Sequence, residues 1–539
     1  MKKQFIFKFV LIFGIVLFLT PVTTIYAAAR TDKVVNASVG DTSTELQALL
    51  DYNKNGDYNL TVEIPAGTYE LTAELRIYSN TTIIADPKAH FVKNHLRGAM
   101  IANDMKNDKG GYTTSTNITI QGGIWDSAKI AAIKKGTESF RFIHATNVTI
   151  KNATICNVPE SSHLITFAGV KNGTVDQCTI YGYTGTRLKE AIHLDVVHDD
   201  ELVPSMQSTY ITYDDLPCDG IRITNNEIYD YPRAIGSHSA VDGVYHKNIT
   251  ISSNNIHDIA EAGIKAYQYV NLTIENNKLT NTGLGILAYT YIANEEDHYY
   301  PALKTTKKEK TPANYQIVIK NNEINTVKFY TSGKNTLWGD GIRLIGSAKR
   351  PLTGSIIEGN TITGTKRYGI FLEQTPNTKV LNNIITSTSK NGIYLINGCN
   401  KSTIQGNKVS KAGAKGSEEG GIGISKSSKV TIANNNVTNA AKNGIFLYNT
   451  SNSCVIKSNT IKGAADNAIS VNNNSNNAVI TANTITGSPT SKRNNRGIFV
   501  YKANNATISK NIISKCKAKQ EININNSTGS KLSANTIKK

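Results

Sequence analysis

Cysteine is scarce and dispersed in this 539-residue chain. Cys156, Cys178, Cys218, Cys399, Cys454 and Cys516 include no C-x-x-C pair. That spacing argues against a thiolate zinc site and leaves isolated buried thiols, or disulfides whose partners the sequence does not choose. No apolar run beyond the first 29 residues is long enough to span a bilayer. Acidic residues nearly vanish at the C-terminal end. Residues 401–539 hold 20 Lys and Arg against Glu418, Glu419, Asp466 and Glu521, whereas residues 30–400 hold 36 basic and 37 acidic residues. The formal net charge of +18 therefore sits mainly in the last quarter. A field of that sign attracts polyanions, although a solvated lysine surface accounts for the same count. Histidine is absent after His298, while five of the ten histidines fall between His193 and His257.

What is present begins with a leader. Lys2, Lys3 and Lys8 accompany the apolar run FVLIFGIVLFL, and small residues follow in YAAAR. This is the secretory pattern, with cleavage expected between Ala27 and Arg30. The mature chain is expected to be secreted, extracellular or loosely associated with the cell wall. For such a protein an anionic wall polymer or acidic polysaccharide is a better partner than nucleic acid.

The rest of the chain is a repeat. Ile-x-x-Asn-x-Ile, with Val or Leu sometimes replacing Ile, places Asn at 226, 254, 277, 322, 360, 383, 407, 435, 459, 483, 511 and 535. Cys178 and Ala153 continue the column upstream. Each repeat carries a second short strand in AGIKAY, LGILAY, DGIRLI, YGIFLE, NGIYLI, NGIFLY or RGIFVY. Period-2 strands between Asn/Gly turns, in a repeat of about 24 residues, fit one coil of a parallel β-helix. Stacked Asn side chains satisfy the buried turns, and each coil buries its apolar face only on its neighbours. TSTELQALLDYN (42–53) predicts a short amphipathic capping helix.

This opening, VEIPAGTYELTAELRIYSNTTIIAD (62–86), and the coils resemble secreted carbohydrate-active proteins of the pectate-lyase-like superfamily. The resemblance implies an all-β fold, a right-handed single-stranded parallel β-helix with a short N-terminal capping helix. The expected division is a signal peptide (1–29), a cap with the first coils (30–110), a β-helix with active-site insertions (111–400) and regular basic coils (401–539).

Alignment of the Gly-Ile strands puts His193 and Asp195 on the outer face, then Gly236 and His238, Lys265 and Tyr267, Leu287 and Tyr289, Arg343 and Ile345, Phe371 and Glu373. Later coils offer Tyr394, Phe446 and Phe499 and no comparable polar set. Asp195 is expected directly beside His238, with Lys265 and Tyr267 one coil on, about 4.8 Å per strand. Asp195, His238, Lys265 and Tyr267 are the candidate catalytic residues, because a carboxylate orients an imidazole and Lys and Tyr serve as base and acid. Glu190, His193, Arg233, Tyr289 and Arg343 are candidates for substrate binding. The same residues also suit a ladder of paired side chains without catalysis.

Two insertions leave this strand edge, one after Asp195 and one after Tyr289 that includes NEEDHYYPALKTTKKEK (294–310). They are expected to wall a cleft. Residues 186–242 hold eleven acidic and four basic residues. Asp199, Asp200, Asp214 and Asp215 offer oxygen ligands for Ca²⁺, with a solvated acidic loop as the plainer alternative.

Three functions compete. A polysaccharide lyase acting on an acidic, uronic-acid-containing polymer needs a base, an acid and a cation on the carboxylate. A glycoside hydrolase needs two suitably separated carboxylates. GSHS (236–239) and GIKA (263–266) resemble the Gly-His-Gly and Arg-x-Lys motifs of polygalacturonases at His238 and Lys265, but the family's paired acidic motifs are not matched. The third is a non-catalytic glycan- or wall-binding surface protein, favoured by the basic C-terminal coils. Lyase is the leading expectation.

Overall fold

Each coil turns a corner that few residues accept. The residue before every Asn of the repeated motif has left-handed backbone, with φ of 57° at Asn225, 58° at Ser253, 66° at Gly359, 54° at Asn382 and 57° at Lys510. Gly adopts this conformation freely and Asn tolerates it. That is why the corners read as Asn and Gly. The following Asn is buried, where it must find hydrogen bonds.

It finds them on the neighbouring coils. Asn360 Nδ2 donates to Asn383 Oδ1 and to the Ile319 carbonyl, both at 2.9 Å, and the Asn360 backbone N–H donates to the same Asn383 oxygen. The side-chain ladder runs unbroken from Asn226 to Asn535. Cys178 extends it upstream by donating its N–H to Asn226 Oδ1 at 2.9 Å.

The structure is a computed structural model that describes residues 30–128, 137–159, 162–290, 298–325, 328, 331–332, 335–336, 339–414, 419–517 and 519–538. The leader at residues 1–29 and the start of the second insertion lie outside the described residues. The fold is an all-β parallel solenoid of about 18 turns with one short N-terminal helix. A regular coil has three strands, such as Ile356–Glu358, Thr361–Thr363 and Ile370–Glu373. The next coil pairs with it in register: Ile357 with Val380, Ile362 with Ile385, Phe371 with Tyr394. Ile357, Ile362, Ile370 and Leu372 point inward and are fully buried. Parallel ladders cross residues 110 and 400 without a break.

The capping helix is Ser43–Leu50. Thr42 and Glu45 form a reciprocal capping box, and Leu46 and Leu50 cover the first coil. Among the described residues no disulfide joins the six cysteines; five are buried and Cys516 is half-buried. Among the described residues no helix is long and apolar enough to cross a membrane.

The two insertions are fastened down by charge. His144 Nδ1 meets Asp108 at 2.9 Å and its Nε2 meets Asp214 at 3.1 Å. Asp108 also accepts from Thr212 N–H, and Asp214 from Gly111 N–H, so the first insertion is pinned to the coil beneath. Asp215 accepts from His198 and from the Leu303 N–H and Thr306 hydroxyl, tying the first insertion to the second. A small second core of Val197, Leu202, Val203, Ile211 and Val241 lies beneath. Burial works against charge on His144, but the two carboxylates outweigh it and raise the imidazole to about 9. Burial likewise opposes charge on Asp108, yet its bonds to His144, Thr114 and Thr212 hold it at about 2.

Two outcomes are expected. Asn383→Ala removes the acceptor of both the Asn360 backbone N–H and its side-chain amide. At about 1–3 kcal/mol per buried orphan, a local loss of about 2–4 kcal/mol should appear as faster amide exchange in strands Ile356–Glu358 and Thr361–Thr363. Asn535→Ala, half-buried in the last coil described, should cost less, and equal losses would contradict the ladder's role. For the clasp, a raised folded pKa stabilises fully below the ordinary imidazole value of about 6.5 and is lost as pH climbs through about 9. The depressed Asp108 contributes above about 4 and is lost as pH falls toward about 2. Proteolytic nicking within residues 199–215 should therefore rise between pH 6.5 and 9 in the native chain. A His144→Ala chain should be nicked readily without that pH step.

Candidate active site

The site stands on four successive strands of one sheet face: Phe140–Ile143, Ile165–Ala168, Glu190–Asp195 and Glu227–Gly236. Their pairing puts Arg141, Thr166, His193 and Gly236 on one rung. Ile165, Ile192 and Ile235 fill the interior on the adjacent rung. Alternation then turns His193 and Asp195 outward, as read from EAIHLD. The expected register also holds downstream, where Gly236 pairs with Lys265, Lys265 with Leu287, and Leu287 with Arg343.

One expectation fails at Gly236. There φ is 150°, and a Cβ would lie 2.0 Å from the Lys265 carbonyl oxygen, so only glycine fits. The chain leaves the ladder at this point, and Ser239–Val241 pairs instead with His298–Tyr300 of the second insertion. His238 therefore does not meet Asp195 as a ladder neighbour. Its Nδ1 bonds to Glu190 Oε2 at 2.8 Å, and its ring stacks on His193 with centroids 4.9 Å apart. His163 stacks on His193 at 4.1 Å and lies 5.8 Å from His238, so the three rings form a triangle.

Beneath the imidazoles lies a buried ionic chain. Arg233 Nη1 donates to Glu190 Oε1 at 3.0 Å and its Nε bonds Glu261. A register shift between Ile259 and Ala262, a β-bulge, accommodates Glu261 beside Arg233. Glu190 and Arg233 are fully buried and so form the floor of the site, not the substrate-contacting pair expected from sequence.

Electrostatics follow from this enclosure. Burial, with Lys189 nearby, drives His238 well below its ordinary pKa, and burial sets His193 at about 4. Burial tends to raise the Glu190 carboxyl, but His238 and Arg233 outweigh it and hold Glu190 well below the usual range. Burial raises the Asp195 pKa well above the ordinary value, and the Val196 N–H at 2.9 Å, with Lys189 and Arg141 nearby, offsets it only in part. At neutral pH the imidazoles carry lone pairs, and the enclosure favours the protonated form of Asp195.

Both insertions wall a cavity of about 450 Å³ over this face. Arg141, Arg187, Lys189, His163, His193, Asp195 and His238 line it from the coils. Asp200, Glu201, Leu202 and Val203 come from the first insertion, His298 and Tyr300 from the second. Such a volume suits one or two sugar rings. Lys189 Nζ lies 3.2 Å from His238 Nε2. Arg141 bonds Glu138 through Nη2, while its Nε and Nη1 have no partner among the described residues.

Other candidates lie elsewhere. Lys265 is buried near Glu261, at 3.9 Å, and does not line the cavity. Tyr267 and Tyr289 stack at 4.3 Å in a separate apolar cluster with Leu284, Leu287 and Ile345, closed off by the second insertion. Facing outward on a strand did not leave them exposed, because an insertion covers them. Arg343 bonds Asp340 at 2.7 Å and lies over Phe371, away from the cavity. The calcium set is not assembled. Asp199 caps the N–H groups of Glu201 and Leu202, Asp214 and Asp215 fasten the insertions, and Asp200 alone lines the cavity.

His163, Arg141 and Lys189 were not among the sequence candidates. His163 precedes its strand by two residues, and SFRFIHA and HLITFAG lack the Gly-Ile signature used for alignment. The Ile-x-x-Asn-like column at Ala153 was visible, and stepping the outer rung back through it would have reached Thr166 and Arg141.

Residues 302–491 match, in two overlapping stretches, the family described as "Periplasmic copper-binding protein (NosD)". The matched coils carry no histidine or methionine. Their thiols, Cys399 and Cys454, donate to backbone carbonyls and are held protonated by burial, Cys454 at about 11. That donor chemistry does not fit copper. No curated protein matches the chain. Among solved structures, the N-terminal fragment of bacteriophage Phi29 gene product 12 has TM-score 0.51 and 13% identity, over 88% of each chain. The Streptococcus pneumoniae surface adhesin PfbA has TM-score 0.46 and 18% identity, over 77% of this chain and 92% of that one. A Yersinia enterocolitica family 28 exopolygalacturonase has 0.42 and 15%, over 74% and 78%. The chain is a parallel β-helix solenoid protein with a NosD-matched segment.

Proposed function

We propose that the protein is an extracytoplasmic polysaccharide-active enzyme that cleaves an acidic, uronic-acid-containing chain by β-elimination in the cavity between the insertions. One observation carries this reading: three cationic side chains, Arg141, Arg187 and Lys189, converge with a carboxylate-backed imidazole and the buried Asp195 in a single cavity. Elimination needs those three elements together.

In this reading a uronate carboxylate takes the cationic wall. His238 presents Nε2 as base, because Nδ1 donates to Glu190, and Lys189 must yield that position when substrate enters. The base removes the proton at C5. The C–H electron pair forms the C4–C5 double bond, the C4–O bond breaks, and Asp195 gives its proton to the departing oxygen. His193 and Tyr300 shape the walls, and Glu190 and Arg233 hold the base from beneath. Lys265, Tyr267, Tyr289 and Arg343 support the surrounding structure. Hydrolysis is less well served, since Glu190 and Glu138 are committed to Arg233 and Arg141.

Export is supported by the basic–apolar–small leader and by the periplasmic description of the NosD family. A second reading has its own support: the coils beyond residue 400 carry 20 basic against four acidic residues and suit an anionic wall polymer. Both uses are compatible in one chain.

The test is incubation with acidic and neutral polysaccharides. Acidic chains should yield the ultraviolet-absorbing unsaturated product, and His238→Ala should lower its rate by about 100-fold or more. New reducing ends without that absorbance would mean hydrolysis. Binding without either signal would leave the non-catalytic reading, and unchanged turnover in His238→Ala would overturn the site assignment.

A further inference from the structure

Three stacked imidazoles around one carboxylate hold more nitrogen than a single general base requires. We infer that His163, Glu190, His193 and His238 form a binding site for one divalent transition-metal ion of the zinc type. One donor atom from each of the four lies within 4.8 Å of the others. Bonds of about 2.0–2.1 Å to a tetrahedral ion place donors about 3.3 Å apart, so modest side-chain rotations close the set.

The nitrogens are in the right form. His163 Nδ1 contacts the Glu190 carbonyl at 2.7 Å and His238 Nδ1 contacts the Glu190 carboxylate. Both partners are acceptors, so both Nδ1 atoms carry the proton and both Nε2 atoms carry the lone pair. His193 supplies the independent observation. It is 3% exposed, and its Nε2 has no hydrogen-bond partner. A buried, unpartnered imidazole nitrogen packed against two other imidazoles is costly without a ligand. Burial keeps all three rings neutral, the form a metal takes.

The donor set selects the ion. Nitrogen-rich coordination favours zinc, cobalt, nickel or cupric ions over calcium or magnesium. Arg233 holds Glu190 Oε1 and His238 Nδ1–H holds Oε2, so an ion that takes Glu190 must draw Oε2 away from His238. Lys189, 3.2 Å from His238 Nε2, is the cation an incoming ion must displace. It lines the cavity and has room to withdraw. This site is distinct from the coils matched by the NosD family, which end at residue 302 on their N-terminal side. An ion on His238 takes the lone pair assigned above to proton removal, so metal loading and elimination exclude one another. The site itself rests on geometry and not on that reaction.

The test is isothermal titration of the chelator-treated full chain with Zn²⁺, without polysaccharide. About one equivalent should bind. His193→Gln and His163→Gln should each weaken binding at least about 10-fold, while the half-buried surface variant His257→Gln should bind as the native chain does. Co²⁺ should give the visible absorption of a four-coordinate nitrogen site. Zn²⁺-dependent shifts of the His163 and His193 imidazole resonances in the unsubstituted chain give a reading free of folding defects. No stoichiometric binding, unshifted resonances, or native affinity in both folded variants would overturn the site, whatever the outcome with polysaccharides.

Discussion

The interaction on which everything else depends is the asparagine ladder at the buried corner. A parallel solenoid must hand each strand's hydrogen-bonding edge to the next coil in register. A slip of one residue would turn the interior isoleucines outward. Asn360, Asn383 and their equivalents prevent this, because each side-chain amide donates to a backbone carbonyl of the preceding coil and to the Asn of the next. The ladder is indifferent to what hangs from the other corners. Long insertions after Asp195 and Tyr289 therefore cost the scaffold little, and the scaffold in turn holds their roots rigidly.

Those insertions change the chemistry of the strands they cover. Left open to water, His193, Asp195 and Arg141 would be an ordinary polar ladder on a sheet. Under a roof pinned by the His144 clasp and by Asp215, the same groups lose solvent. Loss of solvent lowers the His193 imidazole and raises the Asp195 carboxyl, side by side. The ionic chain Glu190–Arg233–Glu261 shows the same rule from the other side: charge survives burial there because each partner is answered by another. The cavity's character is thus a product of the roof as much as of the residues that line it.

The fold was legible because its determinants are local and periodic. Every Asn of the column, the capping helix within residues 42–53 and the outward register of His193, Asp195, Lys265 and Arg343 could be read from spacing alone. The site was legible only in outline. The position of the insertions pointed to a walled cleft, but the alignment assumed that each strand stays on the ladder and that outward residues stay wet. Gly236 breaks the first assumption and sends His238 to Glu190. The covering of Tyr267 and Tyr289 breaks the second. His163 and Arg141 come from coils whose strands lack the Gly-Ile signature, and only the observed pairing brings them to His193. The acidic residues of the first insertion read as a calcium set because sequence shows their number and not their direction. In the structure Asp199, Asp214 and Asp215 each answer backbone N–H groups or histidines.

The central claim is that an acidic glycan meets this chain in the roofed cavity, ahead of any contact with the basic coils. Hydrogen–deuterium exchange with and without an acidic oligosaccharide tests it most directly. Slowed exchange should appear in residues 187–204, 236–241 and 298–300. Slowing confined to residues 401–539, with the cavity segments unchanged, would contradict it.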